Sequence, residues 1–133
     1  MIGSRREARE TALGLLYEAD VRGESLPDTL ARQIVPPVEY AQVLLHGVYE
    51  HSTQIDDLLR SASRGWAIER MAIIDRALLR LATYELAHRE DVPTGAVLSE
   101  AVELAKRYGT DDSSRFVNGV LGTLARELRP ETE

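Results

Sequence analysis

Three arginines near the start of the chain carry its clearest chemistry. Arg5, Arg6 and Arg9 fall within an arc of about 100° on a predicted first helix. They sit at its N-terminal end, where the helix dipole favours carboxylates over cations. Cations placed against that preference suit phosphate, whose oxygens accept from guanidinium and from the unpaired backbone N–H groups alike. Glu7 and Glu10 interrupt the patch, so a solvated helix start is the competing reading. A second cluster lies in DDSSRFVNGVLG, residues 111–122. Phe116 stands one position before the core-type residue Val117, with Asp112 and Ser113 just upstream. Single-stranded RNA is read by stacking unpaired bases on such rings, with short polar groups taking the base edges. Tyr17, two turns beyond the arginines and off the apolar stripe, is a second candidate ring. Simple core packing is the alternative for Phe116.

Catalytic chemistry has thinner support. His46, His51 and His88 form no metal-ligand spacing. His51 lies on an apolar face, where a hydrogen-bonded core histidine is the simpler reading. Glu100 and Glu103 are three apart and read as a solvated acidic face. Glu85 falls beside a buried stripe, and an unpaired buried carboxylate is costly, so it is expected to pair with an arginine. There is no glycine-rich phosphate loop, no G-x-S-x-G elbow and no cysteine, which removes thiol catalysis and Cys-ligated metal. Neither an enzyme activity nor a cofactor is expected.

The elements that position these residues all read as helix. Apolar spacing predicts helices over Ser4 to Val21, Leu26 to Ile34 and Val38 to Ala62, a short turn from Ile68 to Met71, then Ile73 to His88, Thr94 to Tyr108 and Asp112 to Leu128. That is an all-α bundle of about seven helices in one domain, residues 1–128, with 129–133 as a loose tail. Gly109, after Lys106 and Arg107, reads as a left-handed helix cap. Gly119 and Gly122, inside a helix, suggest the close approach of another backbone or a ligand. The fifth segment is unusual, with Ile74, Ala77, Leu78, Leu81 and Tyr84 on one side and Ala72, Leu79, Ala82 and Leu86 nearly opposite. Such a helix is central, or it offers one side to another protein.

The net charge of −6 argues against a general nucleic-acid coat protein, so RNA binding here implies a local basic patch and a partner. No apolar run approaches the roughly 18 residues of a membrane span, and MIGSRREAR lacks a signal-peptide core. A cytoplasmic address is expected.

In order along the chain, RREAR with ALGLLYEAD, IDRALLRLATYEL, the DVP turn and SEAVELAKRYGTDDSSRFVNGVLG resemble the NusB transcription antitermination factors. The resemblance runs from about Ser4 to Leu128. It implies an all-helical protein that binds single-stranded boxA-like RNA of rRNA leader transcripts together with ribosomal protein S10, supporting processive RNA polymerase. Carried over by motif, Arg5, Arg6, Arg9 and Tyr17 fall in an RNA-facing first helix, and Asp112, Ser113 and Phe116 in an RNA-facing start of the last. Asp75, Arg76, Leu79 and Tyr84 fall in the segment that faces the S10-like partner. Glu7 stands at a position that is often basic in the family, which implies weak intrinsic RNA affinity. A homodimer covering the first helix is a further implied state. Two other readings are the helical accessory domain of an RNA cytosine methyltransferase and a small helical mutase. The first needs a nucleophilic Cys; the second needs charges around a pocket, and only Glu85 offers one.

Overall fold

The computed structural model describes residues 4–130, and no strand occurs among them. Seven α-helices and one 3₁₀ turn follow in order: α1 Ser4–Arg22, α2 Leu26–Ala31, α3 Glu39–Glu50, α4 Ser52–Ser63, the turn Ile68–Arg70, α5 Ile73–His88, α6 Thr94–Tyr108 and α7 Ser113–Leu128. Among the described residues no helix is long and apolar enough to cross a membrane.

Local chemistry explains most of the boundaries. Gly23 takes φ +65°, which its missing Cβ permits, and the Glu24 N–H turns back to the Ala19 carbonyl at 2.9 Å, ending α1. Ser25 caps α2 by accepting from the Asp28 N–H at 3.2 Å. That helix stops at Ala31 rather than Ile34. The Gln33 side chain donates to the Thr29 carbonyl at 2.9 Å, while its own N–H turns to Leu30. Ile34 and Val35 find nothing to pack on, and prolines 36 and 37 disfavour helix before them.

The long helix expected from Val38 to Ala62 is two helices, broken at His51 with φ −107° and ψ 25°. Neither proline nor glycine marks the break. It lets α3 lie against α1 and α5 while α4 lies against α5 and α7. The expected total of seven therefore holds for a different reason, since the extra helix replaces the fourth segment, which is only a 3₁₀ turn.

Helix α5 is the axis of the bundle, packed by α1, α3, α4, α6 and α7. Both of its apolar sides are covered, with Leu78 and Leu81 inside on one and Leu79 and Leu86 on the other. Of the two readings of that helix, the central one holds. Gly47 of α3 is required by this packing, because a Cβ there would overlap the ring of Tyr84.

Residue 129, where the loose tail is expected to begin, is held in place. Arg129 is anchored: its guanidinium donates to the carbonyls of Glu85, Leu86, Arg89 and Val92 at 3.0, 3.1, 2.8 and 2.6 Å. It thereby satisfies the open carbonyl end of α5. Residues 131–133 and 1–3 lie outside the described residues.

Candidate nucleic-acid and partner-binding surfaces

The three N-terminal arginines have three different fates. Arg9 is a core residue. It makes a two-pronged pair with Glu85 at 3.0 and 2.9 Å, and the Tyr40 hydroxyl donates to the same carboxylate. Burial acts to lower the Arg9 pKa, but the bonds and charge of Glu85 outweigh it and hold it above the ordinary arginine value. Glu85 thus finds the arginine it was expected to need, and that arginine is one assigned to RNA. Arg9 is corrected to a structural role, because its guanidinium is consumed inside the bundle.

Arg6 is exposed and grips Glu100 at 3.1 and 2.9 Å, which holds the Glu100 carboxyl below the usual range. Arg5 reaches Asp91 at 3.3 Å and lies over the Tyr40 ring, 4.2 Å from its centre. Asp91 is lowered to about 2, by Arg89 first and then by Arg5. The surface patch is therefore Arg5 and Arg6, each already facing a carboxylate.

The first and last helices do not build one aromatic site. Tyr17 is 44% exposed and lines a hollow of about 380 Å³ with Leu13, Gly14, Ile74 and Tyr108, with Glu10 at its edge. Phe116 is half-buried against the core and meets Trp66 edge-on, ring centres 6.3 Å apart and planes at 61°. Asp112 is exposed at the start of α7. Ser113 is not available to a ligand. It is 1% exposed, and its hydroxyl accepts from the Thr110 N–H at 2.9 Å to close the turn between α6 and α7. The same hydroxyl explains Gly109, which is extended at φ −95° rather than left-handed. A Cβ at Gly109 would collide with the Ser113 side chain.

The partner assignments on α5 change in the same way. Leu79 is fully buried, and Tyr84 is buried with its ring stacked near His88, so neither offers a surface. Arg76 is held by Asp20 at 2.6 Å and by the Ile68 carbonyl at 3.1 Å. Asp75 differs. It is 8% exposed, and its Oδ1 has no hydrogen-bond partner among the described residues. It adjoins Ile74 in the chain, which lines the Tyr17 hollow. Residues missed by sequence reasoning are Leu13, Gly14, Ile74 and Tyr108 at this hollow, and Trp66 beside Phe116. Spacing places Ile74 wholly in the core stripe, and Trp66 belongs to no motif.

Among the described residues no cluster of three His, Asp or Glu is arranged to hold a metal ion. The carboxylates weighed for acid–base work, Glu85 and Glu100, are held in ion pairs.

The chain is thus an all-helical bundle with a buried Arg9–Glu85 pair and two aromatic surface sites. The NusB family model matches residues 6–126. The chain is 45% identical over 141 residues to a transcription antitermination protein NusB of Symbiobacterium thermophilum, covering 95% of this chain and 92% of that one. It is 41% identical over 128 residues to the NusB of Bacillus subtilis, covering 93% and 96%. Among solved structures, T. maritima NusB superposes with a TM-score of 0.84 at 36% identity, covering 92% of this chain and 91% of that one. A structure of antitermination factors NusB and NusE in complex with dsRNA superposes at 0.80 with 29% identity, covering 96% and 99%. The chain belongs to the NusB family.

Proposed function

We propose that this chain is a transcription antitermination factor that binds single-stranded boxA-like RNA of rRNA leader transcripts as half of a complex with an S10-like protein, and so supports processive RNA polymerase. The observation that carries this reading is the pairing of its cations. In an acidic chain, Arg5 and Arg6 are already neutralised by Asp91 and Glu100, and Arg9 is buried. Such a surface attracts RNA weakly by itself. It would attract a basic ribosomal protein, whose charge then extends the RNA-binding face. The relative solved with NusE and dsRNA supports the same arrangement.

The partner surface this reading favours is the Tyr17 hollow. It is mostly apolar and carries two exposed tyrosines. RNA would contact Arg5, Arg6, Asp112 and Phe116.

The test is a sizing column and an RNA titration, each run with and without purified S10. The complex should form at micromolar concentration, RNA affinity should rise on adding S10, and Tyr17→Ala should weaken the complex without lowering the melting temperature. Absence of a complex together with an unchanged RNA affinity would overturn the partner assignment. A protein that elutes as a dimer which Tyr17→Ala dissociates would instead assign the hollow to a homodimer.

A further inference from the structure

Trp66 has no role in the sites described so far, and its surroundings are unusual. It is the sole tryptophan of the chain and it follows two residues with positive φ, Arg64 at 42° and Gly65 at 62°. Glycine adopts that region easily and arginine does not, so the turn is held against its local preference. The Ser63 hydroxyl donates to the Trp66 carbonyl at 3.0 Å and closes the turn. Burial does not explain the arrangement, because Trp66 is 53% exposed and meets the fold through the edge of Phe116. A large ring left outside gives up most of the stabilisation it would gain inside.

The charge pattern here differs from that of α1 and α5. Arg5, Arg6, Arg9, Arg76 and Arg80 all face carboxylates. Arg115 directly precedes Phe116 and Arg64 lies two residues before Trp66, and no carboxylate among the described residues pairs with either. Arg126 likewise has no carboxylate and makes only a 3.4 Å bond to the Thr123 hydroxyl. Arg115, Gly119, Gly122 and Arg126 are spaced four, three and four apart, which places them on one stripe of α7. The glycines are not demanded by the chain's own packing. A Cβ at Gly119 would meet nothing, and one at Gly122 only the end of Arg126 at 3.7 Å. No backbone from elsewhere among the described residues comes within 4 Å of a Cβ at either position.

We propose that Trp66 and Phe116, meeting edge to face beside the unpaired Arg64 and Arg115, form a two-ring platform on which unpaired RNA bases stack, with the sugar–phosphate backbone running along the glycine–arginine stripe of α7. This rests on the RNA-binding reading above and adds to it a residue and a path that reading does not use. Rings at 61° cannot both take bases from one continuous stack, so the platform selects splayed, single-stranded bases. Asp112, one turn before Phe116, repels phosphate and accepts from base amino groups, so bases are favoured at that end of α7 and phosphates further along it. From Arg115 to Arg126 the helix rises about 16 Å, room for a short run of nucleotides. The bare backbone at Gly119 and Gly122 lets that strand approach closely.

Because the chain has one tryptophan, its emission reports the platform directly. A labelled boxA-like single-stranded RNA is titrated into the full chain, alone and with S10, following RNA anisotropy and Trp66 emission together. Saturable quenching that tracks anisotropy is expected. Trp66→Ala should weaken binding about 5- to 160-fold, the range for one stacked base, while Trp66→Phe keeps most of the affinity. Gly119→Met should bind RNA more weakly while melting no lower than wild type, since the change favours the helix. If RNA binds but emission stays constant and Trp66→Ala binds like wild type, the platform is wrong and the RNA reading stands. If S10 alone quenches Trp66 and RNA adds nothing, the surface is a protein contact and the platform is overturned. If no RNA binds with or without S10, the RNA reading fails and the platform with it.

Discussion

Removing Arg9 isolates the most consequential interaction in the fold. In Arg9→Ala the Glu85 carboxylate, 2% exposed, loses both guanidinium bonds and keeps only the Tyr40 hydroxyl. Breaking a buried ion pair on one side costs about 3–5 kcal/mol, because the remaining charge is left without compensation. Unfolding entropy of about 2.1 cal/mol/K per residue gives a chain of 133 residues roughly 0.28 kcal/mol per degree. The melting temperature should therefore fall by about 11–18 °C. Calorimetry, with urea unfolding as a second probe, measures this. The double change Arg9→Met with Glu85→Leu removes both charges, and a matched apolar pair is often as stable as the ion pair it replaces, so it should recover most of the loss. RNA affinity per folded molecule should not change in either variant. An Arg9→Ala protein that melts within a few degrees of wild type but binds RNA much more weakly would refute the burial argument and return Arg9 to the RNA surface.

Other outcomes follow from the same packing. Gly47→Ala should cost about 1–3 kcal/mol in urea unfolding, since its Cβ must displace the buried Tyr84 ring; a neutral result would mean the ring has room to move. Arg129→Ala should cost about 2–3 kcal/mol, because the carbonyl end of α5 loses its charged donor; unchanged stability would show that water replaces it fully. The His88 pKa is lowered, by burial first and by the neighbouring His51 second. The unfolded chain then binds the proton more readily, so the His88 contribution to stability is present above the ordinary value of 6.5 and declines as pH falls through it. The urea midpoint should drop between neutral pH and about pH 5.5, and His88→Gln should reduce that drop; an identical pH profile in the variant would assign it elsewhere.

The helices were readable because apolar periodicity is local information. The ranges Ile73 to His88 and Thr94 to Tyr108 coincide with α5 and α6 residue for residue, and Gly23 ends α1 as its missing Cβ allows. The need of Glu85 for an arginine was readable too, from the cost of burying a lone charge on an apolar face. The break at His51 was not, because no residue there forbids helix. It follows from where α3 and α4 must pack on α5.

The site was harder to read for a physical reason: a side chain's exposure and partner are pairwise, long-range properties. Arg5, Arg6 and Arg9 share one helix arc, but only α5, α6 and the turn between them decide that Arg9 meets Glu85, Arg6 meets Glu100 and Arg5 meets Asp91. Ser113 carries the type expected of a base reader, but the turn after Gly109 takes its hydroxyl. Arg129 carries the composition of a tail and works as a cap for a helix more than 40 positions away in the chain. From its sequence alone this protein is an all-helical member of its family with a fifth helix apolar on two sides, because residue type and spacing set local structure and motif order. Which of its arginines and aromatic rings face solvent was decided only by tertiary packing, because burial depends on what the rest of the chain brings alongside.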